Sequence, residues 1–444
     1  MANARAVALE NLLAVEAGGA FANLTHRRLD ALEPADRRLA NELIAGVTRR
    51  RRTLDWTLDQ LLKHPVDTLT PPIRNILRLG AYQLLYLERI PASAAVDEAV
   101  KLARRYGHPG VVKLVNGVLR NVIRRRASLE PPRFAVAPLD ALRYRYALPD
   151  WLAERWHGAF GAEAEALGEW SVSAPHLALR TNTLRTTPEA LCEALSSAGV
   201  PIAPSAVVPE GLRLQGTLDV RSLLGYNEGW WYVQDEAAML VSRCLAPKPG
   251  ETVIDVGAAP GGKTTHLAAL MGNQGVVYAV EAHPNRLARL EENCRRLGVT
   301  NVQPVVRDAR DLSGLPAADR ILLDVPCSGL GVLPRKPDAR WRQSPEAIAE
   351  LGALQLQLLD TAADNLKPGG SMVYSTCTIS PEENQTIIRR FLAQHPQFRL
   401  GDLADCLPER WRGDVEDGGM IQLLPQRHGV DGFFIAKLRK EPTA

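Results

Sequence analysis

Residues 252–265, Thr-Val-Ile-Asp-Val-Gly-Ala-Ala-Pro-Gly-Gly-Lys-Thr-Thr, constrain the fold more than any other stretch of the chain. β-favouring residues run into a glycine-dense turn and then into helix-compatible sequence, a strand–turn–helix unit typical of the ligand-binding edge of open α/β sheets. The alternation continues from about residue 236. Strands are expected at Thr252–Val256, Val276–Val280, Val302–Val306, Arg320–Leu323 and Ser371–Ser375, with helical periodicity between them. A helix is expected from Pro381, and Met420–Leu424 pairs with Gly432–Leu438 as a closing hairpin. Pro304 weakens the third strand, because proline cannot donate to a ladder. The pattern implies an α/β domain with an open, mostly parallel sheet covered by helices on both faces.

The front of the chain reads differently. Ala4 to Val15, Arg37 to Leu62, Ile73 to Tyr86, Ala94 to Arg105 and Val111 to Arg125 repeat apolar residues at three- and four-residue spacing, punctuated by prolines and Gly107 to Gly110. This predicts an all-α bundle over 1–140. Residues 141–235 predict a small α+β segment: a helix from Trp151 capped by Asp150, strands at Leu177–Leu184, Leu212–Gln215 and Trp230–Val233, and a helix over Pro188–Gly199. The remaining domain spans 236–444.

Charge follows the same division. Residues 1–150 carry 24 Lys and Arg against 15 Asp and Glu, and the remainder 29 against 35. A basic front end suits a polyanion-binding module, and it equally suits solvated helix faces. Arg49 to Arg52 and Arg124 to Arg126 sit near predicted helix ends, where cations complement the helix dipole or grip phosphates. Trp230-Trp231-Tyr232 is either core packing or a base-stacking platform.

The longest uncharged run, Thr264 to Val280, is broken by Gly272 to Gly275, so no membrane span is expected. Arg5 and Glu10 interrupt the first apolar stretch, which argues against a secretory signal. A soluble, cytoplasmic, monomeric protein is expected. Six cysteines without a C-x-x-C pair fit neither a disulfide framework nor a thiolate metal site, and no metal is expected.

Gly257 to Thr264 literally satisfies G-x-x-x-x-G-K-[ST], the phosphate-cradling loop, and Asp324 would be its magnesium carboxylate. Three features oppose that reading. Asp255 points an anion at the loop, Glu281 ends the next strand where a carboxylate accepts ribose hydroxyls, and Asp308 follows the third strand. Carboxylates at one sheet edge suit a cationic sulfonium with an adenosine better than a polyphosphate. A P-loop NTPase acting on RNA remains the competing reading, and a non-catalytic RNA-binding protein the third.

Cys327, in Asp324-Val325-Pro326-Cys327, and Cys377, in Ser375-Thr376-Cys377-Thr378, both follow strands at that edge. Cys192, Cys244, Cys294 and Cys406 read as packing thiols. Two thiols and an acid suit one kind of chemistry. Carbon 5 of cytosine is a poor nucleophile until a thiolate adds to carbon 6, and a carboxyl group near ring nitrogen 3 stabilises the charge that develops.

DVGAAPGGKTTH, Glu281, Arg307-Asp308-Ala309-Arg310, DVPCSGLGVLPRKPDARW, YSTCT with Pro381 to Asn384, and DGFFIAKL together resemble RNA cytosine-5 methyltransferases. IPASAAVDEAV and VNGVLRNVIRR resemble the NusB-like helical domain of the branch called RsmB, Fmu or Sun, which methylates 16S ribosomal RNA. The resemblance implies a Rossmann-like methyltransferase domain that uses S-adenosylmethionine, with rRNA or a small-subunit assembly intermediate as its partner. It implies Cys377 as the nucleophile, Cys327 as the group assisting release, and Asp324 at the cofactor amino end and the target base. Gly257, Ala258, Ala259, Pro260, Gly261, Gly262 and Lys263 would hold the methionine moiety, Glu281 the ribose and Asp308 the adenine amine. The chain departs from the family pattern at Gly257 (usually Cys), Glu281 (usually Asp) and Val325 (often Ala). His428 and Arg427, before the final hairpin, either line the base pocket or serve structure.

Overall fold

The computed structural model describes residues 3–17, 29, 31–216 and 222–442. The chain forms two compact units, one of residues 1–174 with 333–342, the other of residues 175–332 with 343–444. The division differs from the three sequence segments: residues 141–174 pack with the helical front end, and so does a ten-residue excursion of the later chain.

The first unit is helical. Its main helices are α1 (Ala4–Glu16), α2 (Pro34–Arg49), α3 (Arg51–Asp59), α4 (Pro71–Tyr86), α5 (Ala92–Tyr106), α6 (Pro109–Arg125), α7 (Asp150–Phe160) and α8 (Ala164–Val172). The predicted helix from Arg37 to Leu62 is two helices, because the backbone leaves helical geometry at Arg50 (φ −106°, ψ 19°). Leu43, Ile44, Val47, Leu54, Leu58, Ile76, Leu77 and Leu119 fill one core. Asp150 does not cap its helix as expected; Pro149 occupies the cap, and the carboxylate pairs with Arg52 and Arg143 at 2.8 Å.

The excursion is anchored by Arg340, which is fully buried and has no ion pair with a carboxylate among the described residues. Its guanidinium donates to the carbonyls of Arg49 (3.2 Å), Tyr146 (3.2 Å) and Ser171 (2.5 Å). Burial, reinforced by Arg49 and Arg50, pulls its pKa down to about 9. Arg49 returns a bond to the Pro334 carbonyl at 3.1 Å, and the Trp341 indole N–H donates to the Thr48 carbonyl at 2.8 Å.

The second unit begins with β1 (Leu177–Thr181), α9 (Pro188–Ser197), β2 (Ile202–Pro204), β3 (Gly211–Leu214) and β4 (Trp231–Val233), whose strands form an antiparallel sheet ordered β2-β3-β1-β4. Trp231 is core here: it is fully buried and its indole N–H donates to the Leu224 carbonyl at 2.9 Å. The chain continues through α10 (Glu236–Leu245), β5 (Thr252–Val256), α11 (Gly262–Leu270), β6 (Val276–Glu281), α12 (Pro284–Leu297), β7 (Val302–Val306), β8 (Ala318–Asp324), α13 (Pro345–Asn365), β9 (Leu366–Thr376), α14 (Gln385–Gln394), β10 (Phe398–Leu400), β11 (Val415–Glu416), β12 (Met420–Leu423) and β13 (Phe433–Lys440).

These strands build the large sheet in the order β11-β12-β13-β9-β8-β5-β6-β7, with β10 on β13. β7, β6, β5, β8 and β9 are parallel neighbours, and β13 joins β9 antiparallel. Side chains alternate between two cores. Val253, Leu322, Val373 and Ile435 pack toward α10, while Ile254, Leu323, Met372 and Phe434 pack toward α13 and α14. Pro304 is accommodated because β7 is an edge strand.

Candidate active site

The strand order decides which sequence segments meet. Along the chain the strands run β5, β6, β7, β8, but across the sheet they run β8, β5, β6, β7. The order reverses between β5 and β8, the switch point at which open α/β sheets bind ligands beyond their carboxyl ends. Asp324 ends β8, the glycine loop follows β5, Glu281 ends β6 and Asp308 follows β7. Four segments separated in sequence therefore line one edge in spatial order.

The loop is shaped for backbone contact. Gly257 has φ +77°, and a Cβ there would lie 2.4 Å from the Asp324 carbonyl oxygen. The Ala259–Pro260 peptide is cis, and α11 starts at Gly262. Lys263 does not offer its charge to a phosphate. Its ammonium donates to Asp324 Oδ2 at 2.7 Å and lies 5.3 Å from the Phe433 ring centre. The Ser375 hydroxyl donates to the other Asp324 oxygen at 3.2 Å. The literal phosphate-loop reading loses its lysine to this ion pair.

Asp255 plays a different part from the one expected of it. It is fully buried, and one carboxyl oxygen accepts from the Thr264 hydroxyl at 2.6 Å while the other has no partner among the described residues. Burial, with Asp324 nearby, pushes its pKa up to about 7. The carboxyl is thus partly protonated near neutrality, so its repulsion of anions is weaker than the sequence reading assumes. It ties the strand end to the helix start instead.

Glu281 is buried, accepting the His283 backbone N–H at 3.0 Å and pairing with Arg286 at 3.2 Å. Asp308 is exposed and held to about 2 by hydrogen bonds from the Arg310 side chain and backbone. It is the less shielded of the two.

The two thiols meet. Cys327 Sγ and Cys377 Sγ are not joined in a disulfide, are half-buried and lie 3.2 Å apart, and the Cys377 backbone N–H donates to Cys327 Sγ at 3.3 Å. A buried network fixes both loops. Glu383 accepts from the Ser328 backbone at 2.8 Å and from Gln355 at 3.1 Å, and the Ser328 and Thr378 hydroxyls are 2.6 Å apart. Asn384 receives the Thr376 hydroxyl at 2.6 Å and donates to the Thr378 carbonyl at 3.1 Å. Desolvation raises the Glu383 pKa despite these donors. Gly331 bonds the Cys377 carbonyl at 3.0 Å and accepts from Gly432 at 2.7 Å. A Cβ on Gly331 would collide with the Gly432 carbonyl at 2.0 Å, so this crossing of backbones needs glycine.

Sequence reasoning missed two supports. Arg180, fully buried on β1, donates to Gln234 (2.5 Å), to Thr265 (2.8 Å) and to the Gly262 carbonyl, bracing the start of α11. A lone arginine among apolar residues in a strand was its one signal. Glu383 was visible only as part of a motif, since its partners lie 28 and 55 residues away. His428 is buried, accepts from the Leu424 backbone N–H at 2.9 Å and stands edge-on to Trp411 at 5.0 Å. Arg427 is exposed.

Residues 242–439 match the family model described as 16S rRNA methyltransferase RsmB/F. Residues 2–124 match the NusB family and residues 148–221 the ferredoxin-like domain of RsmF/B-like methyltransferases. A probable ribosomal RNA small subunit methyltransferase B of Synechocystis is 44% identical over 419 residues, covering 92% of each chain. The probable Bacillus subtilis counterpart is 36% identical over 448 residues and 98% of each. The chain belongs to the RsmB/F family of 16S rRNA methyltransferases. The crystal structure of PH0851 superposes with TM-score 0.80 at 30% identity over 98% of both chains. NSun6 from Pyrococcus horikoshii, crystallised with SFG, gives TM-score 0.60 at 27% identity, covering 68% of this chain and 100% of that one. Among the described residues no helix is long and apolar enough to cross a membrane.

Proposed function

We propose that this RsmB/F-family methyltransferase transfers a methyl group from S-adenosylmethionine to carbon 5 of a cytosine in 16S rRNA, acting in the cytoplasm on rRNA or a small-subunit assembly intermediate. The observation that carries the reading is the pair of thiols 3.2 Å apart at the exits of β8 and β9, beside Asp324 and the glycine loop. One acid and two thiols converge where a flipped base could enter.

The residues present fit the donor. Gly257 to Lys263 present backbone at the switch point, and Asp324, Glu281 and Asp308 follow in the order in which an ammonium, a ribose and an adenine amine would lie. When bound, S-adenosylmethionine supplies an electrophilic methyl carbon on a cationic sulfur. Cys377, as thiolate, adds to carbon 6, and the ring electron pair moves toward carbon 5, which becomes the nucleophile. Asp324 stabilises the altered ring through nitrogen 3. After transfer, a base removes the carbon 5 proton, that electron pair re-forms the ring double bond, and the carbon 6–sulfur bond breaks with its pair returning to Cys377. Cys327 assists this release. The allocation of roles between the thiols follows the family resemblance.

Replacing Cys377 with Ala is expected to abolish methyl incorporation into rRNA while calorimetry shows donor affinity unchanged. Cys327→Ala is expected to accumulate a covalent protein–RNA adduct on denaturing gels. A fully active Cys377→Ala enzyme would show the nucleophile to be another residue.

A further inference from the structure

Within the helical unit lies a cavity of about 420 Å³ whose lining includes Thr48, Arg51, Arg78, Asp338, Trp341 and Arg342. Its electrostatics are unequal. Glu16, which also lines it, is committed to Arg74 at 2.5 Å and to Asn75 at 2.5 Å, with Arg78 at 3.5 Å. Arg78 takes Asp55 through two bonds at 2.7 and 2.8 Å, and Asp338 pairs with Arg342 at 3.5 Å. Arg51 is left over. Its guanidinium lies 4.1 Å from the Trp341 ring centre and has no hydrogen bond or ion pair with any described residue. Stacking holds the planar fork in one orientation, so little freedom remains to be lost when an anion arrives. Trp341 is itself pinned by its bond to the Thr48 carbonyl. The Thr48 hydroxyl, on a residue only 4% exposed, is buried without a partner among the described residues, an arrangement that costs free energy unless something else satisfies it. Burial, followed by the like charge of Arg78, lowers the Arg51 pKa to about 10, against the opposing pull of Asp55 and Glu16.

We propose that this cavity is a phosphate-binding site, with the Arg51 guanidinium and the Thr48 hydroxyl as donors and Trp341 as the platform that holds Arg51. The inference rests on the RNA-methyltransferase reading insofar as a backbone phosphate of the substrate is the first source of such a group; a free phosphate offers the same chemistry. Asp338, Trp341 and Arg342 belong to the excursion that begins six residues after Cys327, so one stretch of chain carries both a reacting thiol and a wall of this pocket.

The test uses the full-length protein with Arg51→Gln, Arg51→Lys and Thr48→Val variants, each checked for an unchanged thermal midpoint. In one arm, binding of 16S rRNA is measured across salt concentrations. Arg51→Gln is expected to lower affinity about five- to tenfold and to flatten the slope of log affinity against log salt by about 0.7–0.9, the loss of one phosphate contact. Arg51→Lys is expected to keep most of that slope. Turnover at saturating RNA should stay unchanged while KM rises. In the second arm, inorganic phosphate is titrated against tryptophan fluorescence, and a response in the wild type that Arg51→Gln and Thr48→Val lose supports the site with free phosphate as its source. Identical behaviour of wild type and Arg51→Gln in both arms overturns the site while leaving the methyltransferase reading intact. If the wild type fails to methylate rRNA, that reading falls, and the phosphate arm still decides the site by itself.

Discussion

Asp255 shows how one residue couples stability to pH in this molecule. Its carboxyl is fully buried and titrates near 7 in the folded state, against an ordinary value of 3.8. Between those values the folded protein binds more protons than the unfolded chain, so stability falls as pH rises from about 4 through 7 and is level above. The contribution is of order 2–4 kcal/mol as an upper figure. Thermal melts of wild type and Asp255→Asn across pH 4–9 should show the wild type losing stability over this window relative to the variant. Parallel curves would mean the carboxyl titrates elsewhere. Gly257 is a second instance at this scale. The positive φ and the nearby Asp324 carbonyl leave no room for a Cβ in the present backbone. Gly257→Ala should therefore shift the loop and weaken donor binding by about tenfold or more, measurable by calorimetry.

At the level of elements, the strand carrying Arg180 and the helix that opens the glycine loop are joined by one guanidinium. Its partners are all neutral, so replacing it leaves unsatisfied oxygens and a hole rather than an orphaned charge. Arg180→Met is expected to cost about 2–4 kcal/mol in denaturant unfolding and to weaken donor binding, because the first turn of α11 loses its brace. Wild-type stability and affinity in that variant would show the brace to be dispensable. The strands themselves were legible from local sequence, since their alternating apolar faces match the two cores. The helix break at Arg50 was not. The periodicity of Arg37 to Leu62 continues across it, and nothing local marks a turn made by tertiary packing.

On the scale of the whole molecule, the first unit depends on residues that the chain supplies late. Arg340 satisfies three carbonyls from three parts of the helical unit, and no local pattern in PRKPDARW announces such a task. Arg340→Ala should leave a cavity and three unpaired acceptors, lowering the stability of that unit by roughly 3 kcal/mol or more, read as faster hydrogen exchange in Pro34–Arg49. Unchanged protection there would mean the excursion does not support the helices. The charge asymmetry acquires detail at the same scale, for Arg49 and Arg52 donate to protein carbonyls while Arg51 donates to none of the described residues.

The α/β alternation, the helical front end, the glycine loop and the positions of Cys327 and Cys377 after two strands were legible in the sequence alone. Each is written in residues close together, where periodicity, turn chemistry and motif spacing act directly. Tertiary packing alone sets β8 beside β5, brings Cys327 and Cys377 into contact, spends Lys263 on Asp324 and places Arg340 and Trp341 in the helical unit. Those outcomes depend on sheet order and on burial, which are set by which apolar faces find each other across tens to hundreds of residues. No short window of sequence contains that information.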